Sequence, residues 1–316
     1  MKDYKKMWDN LSTTLADAAH FVGYQGDEEE IRANGASTAS ILRELLQIGR
    51  GDRVLEIGCG IARIGRELAP HCAEWHGADI SGNMISHARA RTQDIPNVYL
   101  HELPRSDLGI FSEGYFDAVY SSIVFMHLDK IEMFRYIEEA YRVLVPGGRA
   151  YFDTYNLLSP EGWKQFLDVV QTYSYGRRPG HVSQFSTPPE LEKYMQEAQF
   201  ESLHVTGDNP YMVIGIGHKP VQANVSRPAA ALRSSTPEAA IAWPSGDSED
   251  DASAHEWKKL DDNLRAKNRY ITELESVLET KNLHIVELEQ RVTHQQKAMS
   301  SRLVRIAMRL SKRQTP

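Results

Sequence analysis

The sequence predicts an α/β fold: a doubly wound, mostly parallel seven-stranded sheet, followed by a flexible linker and a C-terminal coiled-coil helix. Three observations predict it. Short apolar runs alternate with amphipathic stretches between residues 51 and 219, a glycine turn closes the first of those runs, and a seven-residue apolar repeat begins at Trp257 behind a stretch rich in Pro, Ala and Ser.

Composition narrows the class before any motif is read. The chain has 316 residues, 41% of them hydrophobic, enough for one larger domain with appendages or for two small domains. Its two cysteines, Cys59 and Cys72, neither staple a fold nor supply a four-thiolate zinc site, and their scarcity fits a reducing compartment. No apolar run reaches the ~20 residues that span a bilayer, and the polar start Met1-Lys2-Asp3-Tyr4-Lys5-Lys6 is no secretory signal. The formal charge is −7. Beyond Glu289 there are seven cations and no acid, so the rest carries −14, which disfavours nucleic acid as a partner while leaving a basic tail.

Taken in order, residues 1–50 read as a helical lid region, with Trp8 and the acidic Glu28-Glu29-Glu30. Strands are expected over 53–57, 74–79, 98–101, 116–121 and 149–155, separated by helices over 60–69, 82–91 and 131–144. A helix over 188–198 and strands over 201–206 and 212–216, joined by the turn Gly207-Asp208-Asn209-Pro210, close the domain near Lys219. Residues 220–256 cannot bury enough apolar area to offset their backbone entropy and read as disordered linker.

The first strand carries the chemistry. Glu56-Ile57-Gly58-Cys59-Gly60 ends a strand in a turn where glycine lets a ligand approach the backbone, and the helix after it is expected to offer unpaired N–H groups. Asp79 ends the next strand, placed to accept both hydroxyls of a ribose. Arg63 stands where a dinucleotide fingerprint needs glycine, and Glu56 would repel a pyrophosphate but suits an ammonium group.

With Glu56-Ile57-Gly58-Cys59-Gly60, Gly77-Ala78-Asp79-Ile80-Ser81, Tyr115-Phe116-Asp117-Ala118-Val119-Tyr120-Ser121 and Leu144-Val145-Pro146-Gly147-Gly148 in this order, the chain resembles the class I S-adenosylmethionine-dependent methyltransferases, whose sheet is Rossmann-like. The resemblance implies S-adenosylmethionine as cofactor. It places Gly58 and Gly60 at the methionine end, Glu56 near the amino group, Asp79 on the ribose and Ile80 on the adenine. Asp107 and Leu108 then lie beside the adenine edge, and Ser121 at the end of the fourth strand completes the set. Ala62 stands where many relatives have a third glycine. Asp117 and Pro146-Gly147-Gly148 are read as architecture.

His127 follows the fourth strand at the sheet edge where an acceptor pocket is expected, either as a base toward a hydroxyl acceptor or as a histidine that caps a helix or packs under the acceptor lid. Asp153 and Tyr155 are lesser candidates. The acceptor pocket is expected from variable loops such as 173–184. No cluster of His, Cys and carboxylates has metal-ligand spacing, and no nucleophile–base triad is present.

From Trp257, one heptad position holds Leu264, Ile271, Leu278, Ile285, Val292 and Met299, and the other Leu260, Leu274 and Leu288, interrupted by Lys267, Lys281 and Gln295. That pattern predicts a coiled coil over 257–299 and a homo-oligomer, the alternative being a long helix packed on its own domain. Over 300–316, Arg302, Arg305, Arg309, Lys312 and Arg313 oppose an apolar face, as in a helix lying on an anionic membrane surface, the alternative being the solvated end of the coiled coil. Such a tail resembles bacterial enzymes that modify surface polysaccharides. The implied reading is methyl transfer to a sugar hydroxyl of a glycan or glycolipid, or to a small molecule, by a cytoplasmic protein peripheral on the inner membrane face. The rival is a non-catalytic scaffold that recruits glycan-assembly partners through its coiled coil.

Overall fold

The computed structural model describes residues 4–22, 28–173, 179–221 and 231–232. The expected coiled coil, the basic tail and nearly all of the expected linker lie outside those residues.

Near-continuous apolar runs form central strands because helices cover both of their faces. β1 (Arg53–Ile57), β2 (Glu74–Asp79) and β4 (Phe116–Ser121) are almost wholly buried, whereas β3 (Val98–Glu102) is the half-exposed edge. β5 (Leu144–Asn156) is the longest, followed by β6 (Phe185–Ser186), β7 (Glu201–Thr206) and β8 (Met212–His218). The order is β3-β2-β1-β4-β5-β8-β7, with β6 paired to β5. β1 to β5 pair in parallel, and β8 runs antiparallel to β5 and β7. The strand beyond the expected seven is β6, two residues long and too short to carry a periodic signal. Strand order reverses between β1 and β4, so the crevice at their C-terminal ends is where a ligand fits.

The helices start where the chain supplies caps. Thr14 and Asp17 close a capping box on α2 (Leu15–Phe21), just after α1 (Tyr4–Leu11). α3 (Glu28–Leu45) opens on Glu28, Glu29 and Glu30, where unpaired N–H groups favour anions, and Glu28 also pairs with Arg91. Ser81 caps α5 (Gly82–Thr92), and Asp129 caps α6 (Lys130–Val143). Ser159 caps α7 (Pro160–Thr172), whose first residue is proline. α8 (Pro188–Glu197) then packs on β7 and β8.

Two expectations are corrected here. The helix expected over 60–69 begins only at Gly65, as α4 (Gly65–Leu68), because Gly60 and Ala62 adopt left-handed φ angles of +51° and +55° that interrupt a right-handed helix. In the stretch expected as linker, Ala231 is buried, its carbonyl accepts the Ser112 N–H at 2.7 Å, and Leu232 bridges Phe111. Lys219 is buried where the domain was expected to close, its Nζ donating to the carbonyls of Tyr141 and Leu144 at the end of α6.

Candidate functional site

β1 ends in a turn that only small, flexible backbone can make. Gly58 has φ +71°, and a Cβ there would lie 2.4 Å from a Val124 methyl; one at Gly60 would lie 3.0 Å from Val22. The Gly58 and Cys59 N–H groups donate to the Ala78 carbonyl at 2.7 and 3.0 Å, and the Gly60 N–H donates to Asp79 Oδ2 at 2.9 Å. Unpaired donors were expected from the helix after the turn, first at Gly60, whose N–H is instead taken by Asp79. The donors of the turn are spent on β2, so it offers a smooth backbone surface rather than a nest for phosphate.

Asp79, at the end of β2, accepts the Gly60 and Ser81 N–H groups, one on each oxygen at 2.9 Å. Burial pushes its pKa up to about 6 against the pull of those bonds. Each carboxylate oxygen keeps a lone pair, so two hydroxyls can still be accepted. Gly77 two residues earlier makes room for Trp75, whose ring a Cβ would meet at 2.4 Å.

Glu56 is buried, and its Oε2 accepts the Tyr120 hydroxyl at 2.6 Å; Tyr120 in turn accepts the Trp75 indole N–H at 3.0 Å. Burial pushes its pKa up to about 8, while the Tyr120 bond and the charge of Arg63 act the other way. A carboxyl held close to neutrality in an apolar wall ionises most readily when a cation arrives beside it.

Glu56, Gly58, Gly60 and Asp79 line one cavity of about 870 Å³, open mouth included, within the size range of small-molecule sites. Ile80, Met84, Leu103 and Ser106 wall it on the β2–β3 side. The turn after β4 brings Ser122, Ile123, Val124, His127 and Leu128. The N-terminal helices add Tyr4, Trp8, Phe21 and Val22. Helix α1 is fixed across the strand ends: Lys5 donates to the Ile80 carbonyl, Ser81 donates to Asp9 at 2.8 Å, and the Asp129 N–H donates to the Tyr4 hydroxyl at 3.0 Å.

His127 lies in this wall. Its Nδ1 donates to the His181 carbonyl at 2.8 Å, which leaves Nε2 as the acceptor nitrogen. Burial pushes its pKa down to about 4, so the ring is neutral at pH 7. The Trp8 ring meets it edge-on at 5.1 Å. His181 belongs to the 173–184 stretch expected to build the acceptor pocket, and there Gln184 N–H also donates to the Met126 carbonyl.

Of the residues the sequence singled out, Trp8, Glu56, Gly58, Gly60, Arg63, Asp79, Ile80 and His127 meet in the cavity. Asp107, Leu108 and Ser121 do not line it. Asp107 turns to Arg105 and the Gly109 N–H, Leu108 joins the core, and Ser121 donates to the Ile57 carbonyl at 3.3 Å. Their places in the wall are taken by close neighbours, Leu103, Ser106 and Ser122. Asp153 and Tyr155 also stay outside; Tyr155 stacks on Phe185. Asp117 serves architecture, accepting the Arg53 N–H at 2.7 Å. The wall residues that sequence reasoning missed, Tyr4, Phe21, Val22 and Tyr136, lie in segments without a motif. Among the described residues, no group of three or more His, Cys, Asp or Glu is placed to hold a metal.

Comparison with known proteins agrees with this geometry. Residues 54–148 match the family model of a methyltransferase domain. A demethylmenaquinone methyltransferase of Mycolicibacterium vanbaalenii is 32% identical over 158 residues, covering 49% of this chain and 64% of that protein. Phosphoethanolamine N-methyltransferase 1 of Zea mays is 27% identical over 150 residues, covering 46% of this chain and 29% of that protein. The chain thus spans less than two thirds of these relatives. Magnesium protoporphyrin IX methyltransferase from Synechocystis, solved with bound SAH, shares the fold at 17% identity and a TM-score of 0.52, covering 68% of this chain and 99% of that one. The described domain therefore has the fold of S-adenosylmethionine-dependent methyltransferases, and S-adenosylmethionine is the cofactor indicated for it. The residues present fit that compound: a buried carboxyl ready to face an ammonium, a glycine turn whose Gly58, Cys59 and Gly60 N–H groups are already paired, and a carboxylate with acceptor capacity for two hydroxyls.

Proposed function

We propose that this chain is an S-adenosylmethionine-dependent methyltransferase that O-methylates a sugar hydroxyl of a glycan or glycolipid, or a small molecule of similar size. The observation that carries the reading is the convergence of Glu56, Gly58, Gly60 and Asp79 on a single cavity whose other side is aromatic and holds His127. Glu56 orients the amino group, Asp79 grips the ribose, and Ile80 packs on the adenine. When bound, the cofactor supplies a methyl group on a positively charged sulfur that leaves readily. Trp8 and Phe21 line the acceptor side, where aromatic rings suit the C–H side of a sugar and keep water out. His127 Nε2 takes the hydroxyl proton. A ring with a pKa of about 4 is a weak base, so it takes the proton only as the methyl group transfers, and alignment of the acceptor supplies the rest of the rate.

The relatives' own names refer to a quinone and to phosphoethanolamine, so the sugar reading rests on the aromatic wall and on the sequence beyond the domain. We further propose that residues 257–299 assemble the chain into a homo-oligomer and that residues 300–316 rest on an anionic inner membrane face, which would multiply weak surface contacts. Among the described residues, no helix is long and apolar enough to cross a membrane.

Incubation of the full chain with methyl-labelled cofactor and panels of glycans, glycolipids and small hydroxylated metabolites tests the acceptor. Label in a sugar ether is expected; label only in nitrogen or ring-carbon products rejects the sugar reading. Sedimentation with anionic liposomes, full chain against a chain ending at Glu289, tests the tail, and equal pelleting rejects it.

A further inference from the structure

The turn after β4 is strained where it meets the cavity. Ile123 has φ +62°, a left-handed conformation that a β-branched side chain adopts only when its surroundings enforce it. The strain sits in a functional place. Ile123 and its neighbours Ser122 and Val124 all line the cavity, and the Val124 methyls lie 2.4 and 2.9 Å from where a Cβ of Gly58 would be. Three residues further on, the same turn delivers His127.

The enforcing group is Asp153, one strand away on β5 and 4% exposed. Its Oδ1 accepts the Ile123 N–H at 2.6 Å, and its Oδ2 accepts the Ser122 hydroxyl at 2.9 Å and the Tyr151 hydroxyl at 3.1 Å. It therefore grips both residues that form the bend while standing outside the cavity wall itself. One carboxyl holds three donors at once, and removing it would leave all three without this partner.

We propose that Asp153 is a positioning residue: it holds Ile123 in a left-handed conformation and thereby presses Val124 against the glycine turn and sets His127 at the cavity. It touches neither cofactor nor acceptor. This inference rests on the cofactor reading above, since the glycine turn is taken as the surface that the methionine end follows. Two alternatives give different results. If Asp153 were a base for the acceptor, its charge would matter and the backbone conformation of residue 123 would not. If it served stability alone, relaxing residue 123 would not change binding.

The test compares four full-length proteins by equilibrium dialysis with labelled S-adenosylmethionine: wild type, Asp153→Ala, Asp153→Asn, and Asp153→Ala with Ile123→Gly. Thermal unfolding is recorded in parallel. Asp153→Ala is expected to weaken binding about tenfold or more, the scale set by a strained β-branched residue released from its anchor. Asp153→Asn keeps an acceptor for the Ile123 N–H and is expected to bind within about threefold of wild type. The double variant is expected to recover most of the loss, because glycine adopts φ near +60° without cost. Failure of both to recover binding overturns the inference, as does unweakened binding by Asp153→Ala. Should Asp153→Ala not fold, the double variant decides by itself: recovery of folding with binding near wild type supports the positioning role, since only residue 123 has been relaxed, and a folded double variant that binds about tenfold or more weakly overturns it. No binding by wild type would instead overturn the cofactor reading, and with it the premise of the inference.

Discussion

On the β1–β2 side of the cleft, every group assigned to the cofactor's polar atoms comes from one stretch between Glu56 and Asp79. The opposite side is gathered from Tyr4, Trp8 and Phe21 in the N-terminal helices and from Ser122 to Leu128 after β4, backed by His181. The first side is local and largely backbone: two left-handed glycines, a strand-end carboxylate and a parallel register that brings Ala78 and Asp79 beside the turn. The second is tertiary and aromatic, held by contacts such as Trp8 on His127 and Phe21 on His181 at 5.5 Å. A cofactor that does not vary can be held by a fixed backbone pattern, whereas an acceptor is chosen by side chains on segments free to vary.

That contrast can be broken experimentally. The largest effect is expected at His127. His127→Ala should lower kcat by about 100-fold with little change in cofactor affinity, and between pH 6 and 8 the wild-type rate should show no titration of this ring, whose pKa is near 4. An equal loss of cofactor affinity in binding measurements would show that the two sides are not separable. Next is Asp79→Ala, which removes acceptors for two ribose hydroxyls and leaves the Gly60 and Ser81 N–H groups unpaired. Cofactor affinity should fall about 30-fold, measured calorimetrically; unchanged affinity would reject the ribose role.

Glu56→Gln sharpens the comparison because function and stability should separate. In the folded protein the carboxyl pKa is raised to about 8 from an ordinary value of 4.5. The stability it contributes is therefore full below about pH 4.5 and is lost as pH rises toward 8. The glutamine variant should lose this dependence and, at pH 8, unfold a few degrees higher than wild type while binding cofactor about tenfold more weakly. A lower unfolding temperature at pH 8 would contradict the cost assigned to burying this charge. The smallest effect is expected at Trp8→Ala: a rise of severalfold in acceptor KM, with cofactor affinity within about threefold of wild type. A dominant loss of cofactor affinity would place α1 on the cofactor side.

The same contrast explains what could be read in the sequence. The five parallel strands and the meeting of Glu56, Gly58, Gly60 and Asp79 at one cavity were legible because period, turn residue and strand-end acid are local signals. Asp107, Leu108 and Ser121 missed the wall by one to a few positions, since in loops and at strand ends the face a side chain takes depends on backbone angles that spacing does not fix. The early helix start at Gly60 failed because Ala62 adopts φ +55°, a conformation the family pattern would assign to glycine. Helix α7 was missed although Ser159-Pro160 is a start signal, because only Gly162 of that helix is buried and its apolar side chains are largely exposed. The tie between Asp153 and Ile123 joins residues 30 apart through one hydrogen bond, and no pattern announces it.

The central claim is that the buried Glu56 carboxyl meets the ammonium of S-adenosylmethionine at the turn formed by Gly58 and Gly60. Calorimetric titration of the full chain with S-adenosylhomocysteine, which carries the same amino-acid half, at pH 7 in two buffers of different ionisation heat tests it most directly. One-to-one binding is expected, with a buffer-dependent heat showing that a proton leaves the complex as Glu56 ionises, and the Glu56→Gln variant should lose that dependence. Absence of binding, or heats identical in both buffers, would contradict the account.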